Sequence, residues 1–227
     1  MKSNTRLVTF LLTYISSMLI ALPSYAVLTF HVEVDTTTLG GSSASPFSLD
    51  FQLNDGSGSF STTNTAIISN FNFGGGVPFA LATLTPGASG SLFSVISLSD
   101  VSAFPTEAFQ GFTSGNNLSF DVSLTTNVEP GPTPDAFSFA ILDKSLVNIS
   151  TTGPGDSLLL VNIDNVTLGL GSIQSFVSTS PSGVTLGISP VNAVPEASSW
   201  MAGLSVVMVV LFERFRGYKI FAVSIKS

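Results

Sequence analysis

The chain has 227 residues, with 14 acidic and 7 basic side chains, a formal net charge of −7 and no cysteine. The imbalance is greater between residues 27 and 193, where the only basic side chain besides His31 is Lys144. This charge argues against nucleic acid and anionic membrane surfaces as partners, since both attract lysine and arginine. Without cysteine there are no disulfides, so this segment must be stabilised by a hydrophobic core.

Residues 1–26 have the pattern of a secretory signal peptide. A positive start leads into an apolar run at 7–22 and then into small residues suited to signal peptidase. The residues that carry the pattern are Lys2 and Arg6 at the start and Ser24 and Ala26 at the cleavage site. The sequence therefore predicts export and removal of this segment, with an uncleaved N-terminal anchor as the alternative.

Short segments of alternating apolar and polar residues fill the chain from 27 to 188. The clearest runs are Phe47 to Leu53 and Leu118 to Leu124, and turn-forming Gly, Pro, Asn and Asp separate the segments. Further strands are predicted at 30–35, 66–73, 92–98, 137–141, 158–163, 174–177 and 184–188. The apolar spacing at 104–112 is irregular, so that segment is left open between a helical turn and another element.

Eight to ten short strands with one apolar face predict an all-β fold for residues 27–188. Two antiparallel sheets packed as a sandwich accommodate such strands best, with a jelly roll as the first choice of topology and an immunoglobulin-like sandwich as the second. Fifteen of the nineteen phenylalanines lie between residues 27 and 193, and most occupy inward positions of predicted strands. These phenylalanines are expected to form the core.

The C-terminal part of the chain predicts a membrane anchor. After a linker at 189–196, residues 197–212 carry no charge and give about 24 Å of helix. This is short for a span, but the following segment, 213–227, is basic and fits the cytoplasmic side. The basic cluster consists of Arg214, Arg216 and Lys219. A buried core helix is the alternative, although this run has no polar face.

A tripeptide at the start of this anchor carries a family resemblance. Val194, Pro195 and Glu196, followed by the apolar run and the arginines, resemble the PEP-CTERM sorting signal of Gram-negative bacteria. The resemblance implies recognition by an inner-membrane exosortase, and a protein of the cell surface or extracellular matrix in an exopolysaccharide context. Ala197 stands where the third motif residue is usually proline, and the chain continues for eight residues beyond Lys219.

Several stretches of the exported segment resemble a recurring group of PEP-CTERM proteins. The stretches are 46–58, 68–76, 118–127, 134–143 and 151–156. That group consists of exported proteins without a characterised activity, so this resemblance implies one domain and one export route and no catalytic residues.

Two local patterns are weighed as catalytic or metal sites. His31, Glu33 and Asp35 share one strand face, but positions two apart on a strand are roughly 7 Å apart, so a solvated face is expected. The tetrapeptide 155–158 is similar to the nucleophile motif of GDSL hydrolases. Ser157 lacks a nearby histidine in the sequence, so a turn is the expected role.

Loops rich in oxygen-bearing side chains make a calcium site a low-ranked alternative to the prediction that the chain has no cofactor. The candidate ligands are Asn54, Asp55, Asp135, Asp143 and Asp156. Calcium requires six to eight oxygen ligands, and no stretch has the regular spacing of a known calcium loop. Charges that keep the surface soluble are the simpler interpretation.

The sequence favours an exported, non-enzymatic protein with a structural or interaction role. A carbohydrate-binding module, dependent on calcium or not, is the first alternative. It is weakened because residues 27–193 contain neither tryptophan nor tyrosine, the usual platforms for sugars. The second alternative is a glycoside-active enzyme that uses paired carboxylates, for which two acids must come within about 5 to 10 Å of each other.

Overall fold

The computed structural model describes residues 27–56, 63–101, 104–128, 131–164 and 172–191. The predicted signal peptide, the sorting motif, the transmembrane helix and the basic tail lie outside these residues. Across the described ranges, no helix is long and apolar enough to cross a membrane. The described strands belong to one compact unit, Tyr25–Val191.

The fold is all-β, and most of its strands form two antiparallel sheets, here called sheet A and sheet B. Sheet A contains, in spatial order, β15 (Thr185–Pro190), β1 (Val27–Asp35), β9 (Asn117–Thr125), β3 (Thr65–Asn72), β7 (Ile96–Ser99) and β6 (Ala88–Gly90). Sheet B contains β13 (Ile173–Ser175), β12 (Leu159–Ile163), β10 (Asp135–Leu142), β2 (Phe47–Asn54), β8 (Thr106–Thr113) and β4 (Val77–Pro78), and β5 (Thr83–Leu84) also pairs with β8.

The remaining elements are a two-stranded ribbon and two 3₁₀ turns outside the two sheets. β11 (Ser150–Thr151) and β14 (Ser178–Ser180) form a separate two-stranded ribbon, and single 3₁₀ turns cover Thr37–Leu39 and Pro154–Asp156. Three strand pairs are nested along the chain, because β1 pairs with β9, β2 with β8 and β3 with β7. Successive pairs lie alternately in sheet A and sheet B, so the chain crosses repeatedly between the two layers.

Phenylalanine rings join the two sheets at the centre of the core. Phe51 on β2 lies 5.3 Å from Phe120 on β9, and Phe139 on β10 lies 5.1 Å from the same ring. Phe51 and Phe139 also stack within sheet B at 5.1 Å. Aromatic pairs of this kind add about 0.5–1.5 kcal/mol to the burial of their apolar area. The two sheets therefore enclose one core, as the alternating sequence pattern predicts.

Strand β8 is the element that the sequence left open. Its inward positions include Thr106 and Gln110, which are buried, together with Ala108 and Phe112. Polar side chains at inward positions hide the alternation that identifies a strand. The structure satisfies them, since Thr106 Oγ1 donates to the Ser99 carbonyl and Gln110 Oε1 accepts from the Leu92 N–H.

The structure differs from the predicted strand list in two further respects. The described residues hold fifteen strands where eight to ten were predicted, because five segments of two or three residues that the sequence did not predict also form strands: β4, β5, β6, β11 and β14. The strand predicted at 92–98 is shorter, since the Ser91 N–H donates to the Val95 carbonyl and turns the chain before β7 begins.

The phenylalanine core is confirmed with exceptions. Seven phenylalanines are at most 1% exposed: Phe30, Phe47, Phe51, Phe112, Phe120, Phe137 and Phe139. Phe93 and Phe104 are 67% and 79% exposed and lie on opposite sides of β7 in the chain. Both side chains are therefore largely exposed to solvent.

We expect the Phe51→Ala variant of the full-length chain to lose about 3–5 kcal/mol of its free energy of unfolding. The reason is that the Phe51 ring contacts Phe71, Phe120 and Phe139, and all three rings lose this contact when it is removed. Urea unfolding followed by circular dichroism measures the change. Phe93→Ala is the matched control and should change stability by less than about 0.5 kcal/mol. Equal losses in the two variants would contradict the proposed core.

Candidate functional site

The outer face of sheet A carries a hydrogen-bonded histidine. His31 on β1 lies directly opposite Asp121 on β9, and His31 Nδ1 is 2.6 Å from Asp121 Oδ1. Asn70, with a φ of 56° at an irregularity in β3, donates from Nδ2 to the other carboxylate oxygen at 2.7 Å. Burial acts to raise the pKa of Asp121, but the hydrogen bonds from Asn70 and His31 outweigh it and lower the pKa overall.

A polar groove lies on the same sheet, at the C-terminal end of β1. Its volume is about 370 Å³, and it is lined by Glu33, Asp35, Thr37, Asn116, Asn117, Thr185 and Gly187. Gly187 lies opposite Glu33 in the sheet, and the nearest atom to a Cβ placed there would be 4.0 Å away. The missing side chain therefore leaves space beside the Glu33 carboxylate.

The groove is lined by hydrogen-bonding groups, among them the carboxylates of Glu33 and Asp35. Asp35 accepts hydrogen bonds from the Thr37 hydroxyl and from the Thr37 N–H, and these bonds lower the pKa of Asp35. Its carboxylate, together with that of Glu33 and the amides of Asn116 and Asn117, suits the hydroxyl groups of a polar ligand.

His31, Glu33 and Asp35 lie on one strand face, as predicted. His31 is engaged with Asp121, whereas Glu33 and Asp35 line the groove. Nowhere in the described part of the chain do three histidine, cysteine, aspartate or glutamate side chains converge closely enough to hold a metal ion by themselves. On this face Glu33 and Asp35 are exposed, and His31 is half-buried.

A second polar cluster closes one end of the sandwich and is called here the acidic end: Asp55, Asn64, Asp100 and Asp135. Asn64 connects the two sheets, because its backbone N–H donates to Asp100 Oδ1 at 2.7 Å and its side-chain Nδ2 donates to Asp135 Oδ2 at 2.7 Å. Asp135 Oδ1 accepts from the Gly56 N–H at 3.0 Å, beside Asp55. Asn64, Asp100 and Asp135 are at most 3% exposed.

One carboxylate oxygen at the acidic end has no hydrogen-bond partner among the described residues. Asp100 Oδ2 is buried and accepts no hydrogen bond from them. Burial raises the pKa of Asp100 to about 6; the Asn64 N–H opposes this, whereas the negative charges of Asp135 and Asp55 add to it. The carboxylates of this end therefore lie close enough to repel one another.

The other calcium candidates of the sequence are used in turns. Asp143 Oδ1 accepts from the N–H groups of Ser145 and Val147, and Asp156 Oδ1 accepts from the Thr151 N–H. Of the five predicted oxygen donors, the structure brings Asp55 and Asp135 together with Asn54 on the adjoining strand end. It places Asp143 and Asp156 elsewhere.

Ser157 directly follows the second 3₁₀ turn, at a position where the sequence predicts a turn. It is 5% exposed, and its hydroxyl donates to the Pro154 carbonyl at 2.8 Å. Its hydroxyl therefore stabilises the turn that leads into β12.

The outer face of sheet B carries two neighbouring acids, Asp50 and Glu107, of which Asp50 is inaccessible to solvent. Gln52 Nε2 donates to Asp50 Oδ2 at 2.8 Å and to Glu107 Oε1 at 3.2 Å, so the two carboxyl groups share one donor. Asp50 is only 3% exposed, and its Oδ1 accepts no hydrogen bond from the described residues. A sugar therefore has no access to the Asp50 carboxyl in this structure.

Sequence reasoning missed Asp100 and the burial of Asp50. Asp100 continues the inward alternation of Ile96 and Leu98, and that register could have identified it as an inward carboxylate at a strand end. Asp50 lies between Leu49 and Phe51 at an outward position of β2, where the pattern predicts exposure. Nothing local in the sequence indicates its burial.

The comparisons with known proteins add no assignment. No family model, no curated protein and no solved structure matches the chain.

We expect the free energy of unfolding to fall by about 2–3 kcal/mol between pH 5 and pH 8 because of Asp50. Burial, followed by the negative charge of Glu107, raises the pKa of Asp50 from 3.8 to about 7. In this range the folded chain retains a proton that the unfolded chain has released, so stability decreases as the pH rises and levels off above the folded pKa.

Urea unfolding of the full-length chain at several pH values tests this expectation. Asp50→Asn should remove this part of the pH dependence, whereas Glu33→Gln on an exposed position should leave it in place. An Asp50→Asn variant with the same slope as the wild type would show that Asp50 ionises normally.

Proposed function

We propose that this chain is an exported, non-enzymatic protein of the cell surface or extracellular matrix with a structural or interaction role. Its C-terminal segment resembles a PEP-CTERM signal, which suggests a Gram-negative host and an exopolysaccharide context. The chain would cross the inner membrane, be anchored there by residues 197–212, and then be retained or released to the surface.

The observation that carries this proposal is the extent of the folded unit. The described strands of the compact unit run from Val27 to Pro190, so in the sequence they lie between the signal-like segment, 1–26, and the Pro195-Glu196 motif. A cysteine-free, acidic sandwich flanked in this way suits a protein that is exported as one module and processed at its ends. The predicted partner at the C-terminal end is an exosortase-type inner-membrane protease.

The nested strand pairs support a jelly-roll assignment for the topology. Rolling a long antiparallel hairpin into two layers produces nested pairs in alternate sheets, as β1·β9, β2·β8 and β3·β7 do. An immunoglobulin-like sandwich, the second choice, is built from Greek-key connections and accounts for this nesting less directly.

Carbohydrate binding is the second candidate function, and the polar groove of sheet A favours it. The groove presents the carboxylates of Glu33 and Asp35 and the amides of Asn116 and Asn117. A hydroxyl-rich exopolysaccharide would be held there by hydrogen bonds, without the tryptophan and tyrosine platforms that the domain lacks. This candidate is compatible with a matrix role.

We expect Glu196→Ala to block processing of the C-terminal segment. In the producing bacterium, the wild type should leave the inner membrane with a mass reduced by loss of that segment, whereas the variant should stay at full mass after signal removal. Membrane fractionation with intact-mass measurement gives both results. Lys226→Ala, beyond the basic cluster, is the matched control and should be processed like the wild type.

An identical mass and an identical inner-membrane location for the wild type and Glu196→Ala would overturn the sorting proposal and leave only an anchor.

We expect the full-length chain to bind exopolysaccharide from its own host. The Glu33→Gln, Asn117→Ala double variant should bind at least about tenfold more weakly, because the loss of each of two hydrogen bonds costs about 1 kcal/mol of binding free energy. Pull-down with and without calcium measures this. Glu107→Gln on sheet B is the control and should bind normally. Equal binding by all three proteins would contradict a site in the groove.

A further inference from the structure

The acidic end presents two buried carboxylates, and the described part of the chain supplies no cation to neutralise them. Between residues 27 and 191 the sequence has one lysine and no arginine. Asp135 begins β10 and Lys144 comes after its last residue, so the length of the strand, roughly 23 Å at 3.3 Å per residue, separates them. Lys144 Nζ donates to the Ser43 carbonyl. His31 is engaged with Asp121 on the outer face of sheet A. Aspartates this deeply buried are normally paired or bound to a metal.

Two carboxylates of the acidic end, those of Asp100 and Asp135, lie on the inward sides of the two sheets. Asp100 continues the inward side of β7 in sheet A, and Asp135 begins the inward side of β10 in sheet B. Asn64 binds both carboxylates, which fixes their separation across the end of the core. Asp55 adds a third negative charge near Asp100.

Asp100 Oδ2 is the independent indication of a ligand. Asp100 is 2% exposed, and this oxygen has no hydrogen-bond partner among the described residues. Both oxygens of Asp135 accept one N–H each and keep a further lone pair. An unused anionic oxygen inside a protein is costly unless a cation or a donor satisfies it.

We propose that the acidic end binds a calcium ion, with Asp100 and Asp135 as its carboxylate ligands. No three acidic side chains in the described ranges converge on one point. Two carboxylates completed by neutral oxygens and water are therefore the expected coordination. Calcium tolerates such irregular sets of six to eight oxygens, whereas magnesium requires a near-ideal octahedron. The proposal does not depend on the proposed function.

The test is calorimetric unfolding of the full-length chain in mild detergent at neutral pH. Calcium chloride at about 10 mM, above the 10⁻⁴–10⁻³ M dissociation constants of extracellular calcium modules, should raise the unfolding temperature by about 3 °C or more. Sodium chloride of equal ionic strength should not reproduce the shift, and magnesium should produce less of it.

Asp100→Asn keeps the shape of the side chain and an oxygen acceptor for the Asn64 N–H, and we expect it to lose the calcium-dependent shift. Asp143→Asn, in a turn away from the acidic end, should keep it. Isothermal titration of the wild type with calcium chloride gives an independent readout if Asp100→Asn does not fold. The proposal is overturned by an unshifted and non-binding wild type, by an equal shift with sodium chloride, or by a full shift in Asp100→Asn.

Discussion

The structure depends on the packing of aromatic rings between two sheets, because this chain has few other strong means of stabilising its fold. It has no cysteine for disulfides, and the hydrogen bond described between His31 and Asp121 lies on the outer face of sheet A. The contacts of Phe51 and Phe139 with Phe120 join sheet B to sheet A at the centre of the molecule. Every polar cluster is placed by the strand register that this core fixes, since a shift by one residue would turn each strand over.

The same register separates three polar regions with different chemistry. The outer face of sheet A is open and carries hydroxyl, amide and carboxylate groups around the groove. The acidic end is closed, and its carboxylates are held by backbone and amide N–H groups. On sheet B, the buried Asp50 and the half-buried Glu107 share the Gln52 amide. An open polar face suits binding, whereas the two closed clusters couple stability to protons and cations.

The three polar regions share one physical cause, which is the excess of carboxylates over basic side chains in this part of the sequence. A segment with a single lysine has few internal partners for its buried carboxylates, so they depend on N–H donors, on protonation or on ions from solution. The same charge favours solubility and disfavours association with nucleic acid. A calcium-rich and a calcium-poor environment would then give this sandwich different stabilities, whatever its ligand.

The sequence by itself determined the all-β class, the main strands and the phenylalanine core, because strict alternation, as in β2 and β9, is a local signal that forces one face inward. The patterns at the two ends of the chain predict export and sorting, and both stay predictions. Only the tertiary structure decided that 104–112 is a strand, since Thr106 and Gln110 are satisfied by partners elsewhere in the chain. It alone brought Asp100 and Asp135 to the same asparagine, because the pairing of strands distant in sequence, and not local spacing, sets which side chains meet at the end of a sandwich.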